Sequence, residues 1–183
     1  TLDCLKKIGH TIVLLVRVGD GTRVDYYKKN FADSNVFIEG LPNALTRFEL
    51  YMFHFSWNSL PTRSAFVKRH DLFLKHKKRW RYVVECIVGF LGRFRTWRNT
   101  IRLVYFLLPD SYGKDVFTKH KPDLFFSPNM FSAEDCRLLR QAKKMGIRTI
   151  TFAKSWDVPT TRGFTRVKAD KIMVFNEINK KEI

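Results

Sequence analysis

Five short apolar runs punctuate the chain, with helical text between them. They are Thr11–Arg17, Asn35–Glu39, Asp123–Ser127, Ile147–Phe152 and Lys171–Phe175. Runs this short and this apolar suit strands covered on both faces. Strands separated by helices of a dozen or so residues build βαβ units, and βαβ units build a parallel sheet. The order of runs therefore predicts an α/β chain.

The punctuation around the runs supports this. Leu2, Leu5 and Ile8 have helical spacing, and Gly9 stands where a left-handed helix C-cap belongs. Arg23–Ala32 suits a short polar helix, and Gly40 and Pro42 close the second run. Asp110 is placed to cap a short helix ending near His120. Ser132 opens a helix with acid in its first turn, Lys143 and Lys144 in its last, and Gly146 after it. Asn176–Ile183 starts a further helix. The chain thus begins in the back half of a helix feeding a strand, and residues 1–183 read as one domain cut from a longer protein.

Residues 43–108 break the alternation. They are helical text rich in Phe, Trp and Arg, interrupted at Pro61. Trp80, Val83, Val84, Ile87, Val88 and Leu91 trace one helical face, and Trp97, Ile101, Val104, Tyr105 and Leu108 trace another. Tyr82–Phe94 holds Glu85 and Arg93 and falls short of the roughly 20 apolar residues that span a bilayer.

Charge concentrates in the same stretch. The 183 residues carry 34 Lys and Arg against 17 Asp and Glu, a formal charge of +17. Between Arg63 and Arg102 stand 12 basic residues and two acids, which is +10 of that total. Lys75, Lys77, Lys78, Arg79, Arg81, Arg93, Arg95 and Arg98, interleaved with Trp and Phe, suit an anionic membrane surface. Each basic side chain at such a surface contributes about 1 kcal/mol. A solvated face with the aromatics in the core is the plain alternative. Nucleic acid would also attract the patch, but no helix-turn-helix, zinc-finger or RNP pattern accompanies it.

Composition excludes a disordered chain, since 45% of residues are hydrophobic. Three widely spaced cysteines, Cys4, Cys86 and Cys136, exclude a disulfide scaffold and read as buried helical thiols. The five histidines show no metal-ligand spacing with them. No phosphate-loop, dinucleotide or zinc-protease motif is complete, and Gly19-Asp20-Gly21 is a turn.

The segment after the fourth run holds the densest chemistry: Ser155, Trp156, Asp157, Thr160, Thr161, Arg162 and Gly163. Ligands of open parallel sheets bind beyond the carboxyl ends of strands. A crossover loop held by its own turns, with Trp156 as a core plug, is the alternative.

Four elements together resemble a known order: Lys121–Phe126, Leu138–Thr149, the Ser155-Trp156-Asp157 and Thr161-Arg162-Gly163 loop, and Ala169–Glu177. This succession is similar to the amino-terminal half of GT-B-like glycosyltransferases of bacterial surface polysaccharide synthesis, whose loop reads SWDN…TKG. Val158 stands where that pattern has Asn, and Arg162 where it has Lys. The resemblance covers Lys121 to the end. It implies a Rossmann-like parallel sheet flanked by helices, with residues 43–108 as a basic helical insertion. It also implies the acceptor side of a two-domain enzyme, peripheral at the inner face of the cell membrane and acting on a glycan or lipid-linked acceptor. The loop residues would face the cleft, with Asp157 as general base or loop organiser. No cofactor is implied for this chain, because the nucleotide-sugar donor binds mainly to a carboxyl-terminal Rossmann-like domain. A glycerophosphotransferase or nucleotide-sugar epimerase of the same fold, or a non-enzymatic basic module binding membrane or nucleic acid, are the alternatives.

Overall fold

The computed structural model describes residues 2–18, 22–42, 46–153, 163–177 and 180. It is a mixed α/β chain with eight helices and five strands among those residues, all strand pairings being parallel. The chain forms two units, one of residues 1–44 with 115–121, the other of residues 45–114 with 122–183.

In the first unit, α1 (Leu2–Lys7) ends at Gly9, whose φ of 83° supplies the expected left-handed turn. β1 (Ile12–Val18) pairs in parallel with β2 (Val36–Pro42), Ile12 opposite Val36 and Val18 opposite Pro42. α2 (Thr22–Phe31) joins them. β2 runs on through Gly40 and ends at Pro42. Gly40 is a close-approach position: a Cβ would meet Val18 Cγ2 at 2.8 Å and Val24 Cγ2 at 3.2 Å. Pro42 is tolerated because β2, paired only with β1 among the described strands, is an edge strand. β1 is half-buried and not enclosed on both faces, while β2 buries Val36, Ile38 and Leu41. α7 (Lys114–His120) lends Lys119 and His120 to Glu39, at 2.6 and 2.7 Å. Those two contacts hold the Glu39 carboxyl below its usual range.

The second unit holds α3 (Arg47–Asn58), α4 (Arg63–His76), α5 (Arg79–Leu91), α6 (Arg95–Leu107), β3 (Leu124–Ser127), α8 (Ala133–Lys144), β4 (Arg148–Phe152) and β5 (Lys171–Met173). The sheet order is β3-β4-β5. Where the sequence suggests one sheet, the described strands pair as two. Five helices, α3 to α7, separate β2 from β3, in place of the single helix of a βαβ crossover. β3–α8–β4 is a βαβ unit as expected. Thr46, Thr62 and Ser132 cap α3, α4 and α8 by accepting from the N–H groups of Glu49, Ala65 and Asp135.

α8 is buried almost all round, its arginines included. Arg140, 1% exposed, donates to Glu49 Oε1 at 2.8 Å, to Asp110 Oδ2 and to the Tyr105 carbonyl at 2.9 Å. Arg137 grips Asp110 with two hydrogen bonds of 2.8 and 2.7 Å. The Tyr105 hydroxyl donates to Glu49 Oε2 at 2.8 Å. Two cations thus meet two carboxylates in the core. Asp110 is therefore no helix cap, because α7 begins only at Lys114 and the α8 arginines take the carboxylate. Burial alone would raise Asp110, but hydrogen bonds from Arg137, the Tyr112 N–H and Arg140 outweigh it and hold the carboxyl well below its usual range.

Candidate functional site

The parallel sheet of the second unit sends the carboxyl ends of β3, β4 and β5 to one edge, with Ser127 opposite Thr151 and Phe152 opposite Met173. Under that edge Met130, Phe131 and Ala153 form a buried cluster with Ile172 and Val174 packed against it. Thr151 Oγ1 donates to the Ser127 carbonyl at 3.1 Å, and Asn129 Oδ1 accepts from the Phe131 N–H at 3.2 Å. These hydroxyls and amides hold the edge together.

Ser155, Trp156, Asp157, Thr160, Thr161 and Arg162 lie outside the described residues. Both anchors of their segment are fixed. Ala153 is fully buried, and its N–H donates to the Met173 carbonyl at 3.0 Å. On the far side Gly163 to Val167 are all buried. Gly163 adopts φ 100°, where a Cβ would meet Ser56 O and Trp57 Cα at 3.0 Å. Its close approach is to the end of α3, a partner that sequence spacing does not reveal. Arg102 of α6 donates to the Thr165 carbonyl at 2.8 Å and lies over the Phe164 ring. Arg166 donates to the carbonyls of Phe131 and Ser132, both at 3.2 Å. Two arginines thus fix the return of the chain to the sheet edge.

The basic helices form a second candidate surface. Lys75, Lys77, Lys78, Arg79 and Arg81 gather at the α4–α5 turn, and Arg93, Arg95 and Arg98 at the α5–α6 turn. All are exposed except Arg98, which is half-buried; Arg81 also pairs with Glu85 at 2.8 Å. The two groups stand at opposite ends of α5. Between them the apolar face of α5 is turned outward: Trp80 is 79% exposed, and Val83, Val84, Ile87 and Phe90 are exposed as well. Of the face expected inside, Val88 is buried and Leu91 half-buried.

The buried side of α5 is Glu85, Val88 and Gly89, followed by Gly92. The glycines explain the reversal. A Cβ on Gly92 would fall 1.6 Å from the Ser59 carbonyl oxygen, and one on Gly89 would lie 2.7 Å from the Arg69 guanidinium. The small side of the helix makes the intimate contact, and the bulky apolar side is left out. α6 shows the same split, with Ile101 and Tyr105 buried but Leu103, Val104 and Leu107 exposed.

Cys136 is buried and donates to the Met130 carbonyl at 3.2 Å, whereas Cys86 is half-buried and Cys4 exposed. Gly19-Asp20-Gly21 falls outside the described residues, as does most of Asn176–Ile183. Among the described residues no helix is long and apolar enough to cross a membrane. Sequence reasoning missed the Glu49–Asp110–Arg137–Arg140 cluster. Its signal was two arginines set among the apolar residues of α8, a pattern that surface helices share.

No protein-family model, curated protein or solved structure matches the chain.

Proposed function

We propose that this chain is the acceptor-side, amino-terminal domain of a GT-B-type glycosyltransferase of surface glycan synthesis, held at an anionic membrane face. The observation that carries the reading is the sheet edge. The segment bearing Ser155, Trp156, Asp157, Thr160, Thr161 and Arg162 leaves and rejoins buried anchors at the carboxyl end of a parallel sheet. Loops in that position bind ligands because strand ends and backbone amides converge there. On this reading the loop hydroxyls and Trp156 hold a sugar acceptor, and Asp157 accepts a proton from its attacking hydroxyl or orients the loop. A carboxyl-terminal Rossmann-like domain of the same protein supplies the donor site.

The outward apolar face of α5, flanked by basic turns, supports the membrane part of the reading. Nucleic acid needs no such exposed apolar stripe between its cations. The test is sugar transfer by the full-length protein to a lipid-linked acceptor. Asp157→Asn is expected to lower turnover at least about a hundredfold if Asp157 is the base. Unchanged turnover reduces Asp157 to scaffolding. Tight binding of a nucleotide sugar by this chain alone would overturn the acceptor-side assignment.

A further inference from the structure

Between α4 and α5 lies a cavity of about 460 Å³. That is within the range of small-molecule sites, roughly 300–1,000 Å³. Three arginines line it, Arg63, Arg69 and Arg93. Arg69 is the built element. It is only 6% exposed, and its Nη1 donates to the carbonyls of Asn58 at 2.7 Å and Leu60 at 3.4 Å. Its Nε is buried without an acceptor. Among the described residues no carboxylate pairs with it, although a buried guanidinium without an anion is strongly disfavoured.

The helix opposite is shaped to admit that guanidinium. A Cβ on Gly89 would lie 2.7 Å from Arg69 Nη1, so a larger residue there would push the guanidinium off its carbonyl acceptors. Glycine in a helix interior costs about 1 kcal/mol relative to alanine. Arg63 and Arg93 are exposed and, among the described residues, have no carboxylate at ion-pair distance. The cavity also touches the first turn of α4, which contains no acid and whose N–H groups favour an anion. An oxyanion entering here meets one fixed cation and two at the rim.

The mouth is apolar. Phe66 and Phe90 line the cavity and are half exposed, and Phe90 continues the outward stripe of α5 through Ile87 and Val83. We propose that this cavity binds the phosphate of a phosphorylated lipid, with the apolar chain leaving along Phe66, Phe90 and Ile87. The site deepens the membrane part of the reading above and stands apart from sugar transfer. Arginine suits the task because its planar fork matches phosphate oxygens.

Cys86 lines the same cavity and Cys4 is an exposed thiol elsewhere in the chain, so alkylation mapped by peptide reports occupancy against an internal control. Four probes are compared: phosphatidylcholine vesicles, the same vesicles with phosphatidic acid, the same with an equal charge of oleate, and inorganic phosphate. Phosphatidic acid is expected to slow alkylation of Cys86 and leave Cys4 unchanged. The double variant Arg63→Gln/Arg93→Gln is expected to weaken that protection roughly 30-fold, the conversion of about 1 kcal/mol for each of two cations. Lys28→Gln/Lys29→Gln on α2 removes the same charge and should leave it intact. Equal protection by oleate vesicles means adsorption without phosphate recognition and overturns the proposal. Equal protection by inorganic phosphate assigns the site to a soluble phosphate and overturns its lipid half. Unprotected Cys86 overturns it whole. A protein that fails to transfer sugar while Cys86 is protected loses the transferase reading and keeps this site.

Discussion

Thr149 and Asp170 are tied to each other by four hydrogen bonds. The Thr149 N–H and hydroxyl both donate to Asp170 Oδ2 at 2.8 Å. The Asp170 N–H donates back to Thr149 Oγ1 at 3.0 Å and to the Thr149 carbonyl at 3.1 Å. Lys143 at the end of α8 adds a contact of 2.6 Å to Asp170 Oδ1. Two residues 21 positions apart in the sequence thus join the start of β4 to the approach of β5.

Asp170→Asn should therefore cost stability at neutral pH and little at acid pH. The Lys143 and Thr149 contacts pull the Asp170 carboxyl from 3.8 down to about 2. A lowered folded value contributes stability that is complete above the unfolded value near 3.8 and fades as pH falls toward 2. The side chain is half exposed, so solvent limits the loss to about 1–2 kcal/mol. Urea melts of both proteins between pH 7 and 2 check this; a difference that does not shrink below pH 4 contradicts it.

The buried ion cluster makes an asymmetric prediction. Glu49→Gln leaves Arg140 short of a charge in the core and should destabilise by about 3–5 kcal/mol. Replacing Glu49, Asp110, Arg137 and Arg140 together with apolar residues of similar volume should cost far less than the sum of the single changes, because no buried charge is then left without a partner. Chemical denaturation of the single and quadruple variants measures the difference.

Gly92→Ala should be among the most damaging single-methyl additions at the described glycines. The new Cβ would lie 1.6 Å from the Ser59 carbonyl oxygen, and that atom is backbone. α5 would have to move off the end of α3, at a cost of about 3 kcal/mol or more. Thermal unfolding reads it directly, and a Tm within a degree or two of the parent would show that the contact is not that close.

Trp80 and Ile87 test the exposed face of α5. Replacing both with Ser should leave thermal stability nearly unchanged, since substitutions of exposed side chains fall within about 0.5 kcal/mol. Binding to anionic vesicles should fall at least about tenfold, from roughly 1 kcal/mol of apolar transfer lost per residue. Sedimentation with vesicles of phosphatidylcholine and phosphatidylglycerol measures it.

The helix ends and strands were largely legible because their signals are local. Ser132, Gly146 and Gly9 act within one turn of the backbone, and the strands are short runs of three to seven residues rich in Ile, Val, Leu and Phe. Facing was not legible. The apolar period of α5 points to Trp80 and Ile87 as core, yet Gly89 and Gly92 decide the packing by letting the backbone come close. Periodicity weighs hydrophobicity and is blind to the closeness that a missing Cβ permits. The charges of α8 mislead in the opposite sense, since Arg137 and Arg140 look solvated until Glu49 and Asp110 are placed beside them. The anchors of the candidate loop were half visible: Gly163 stood out, but Arg102 reaches Thr165 across 63 residues.

The burial of α8 also bears on how the second unit assembles. Arg140 finds its acceptors 91, 35 and 30 residues back along the chain. Until α3, the end of α6 and Asp110 have converged, closing over α8 would strand a cation in a dry interior. Partial assemblies are therefore penalised, which favours joint closure of these elements over stepwise docking. Of the described helices, the one with the most buried residues has the most to lose by docking early.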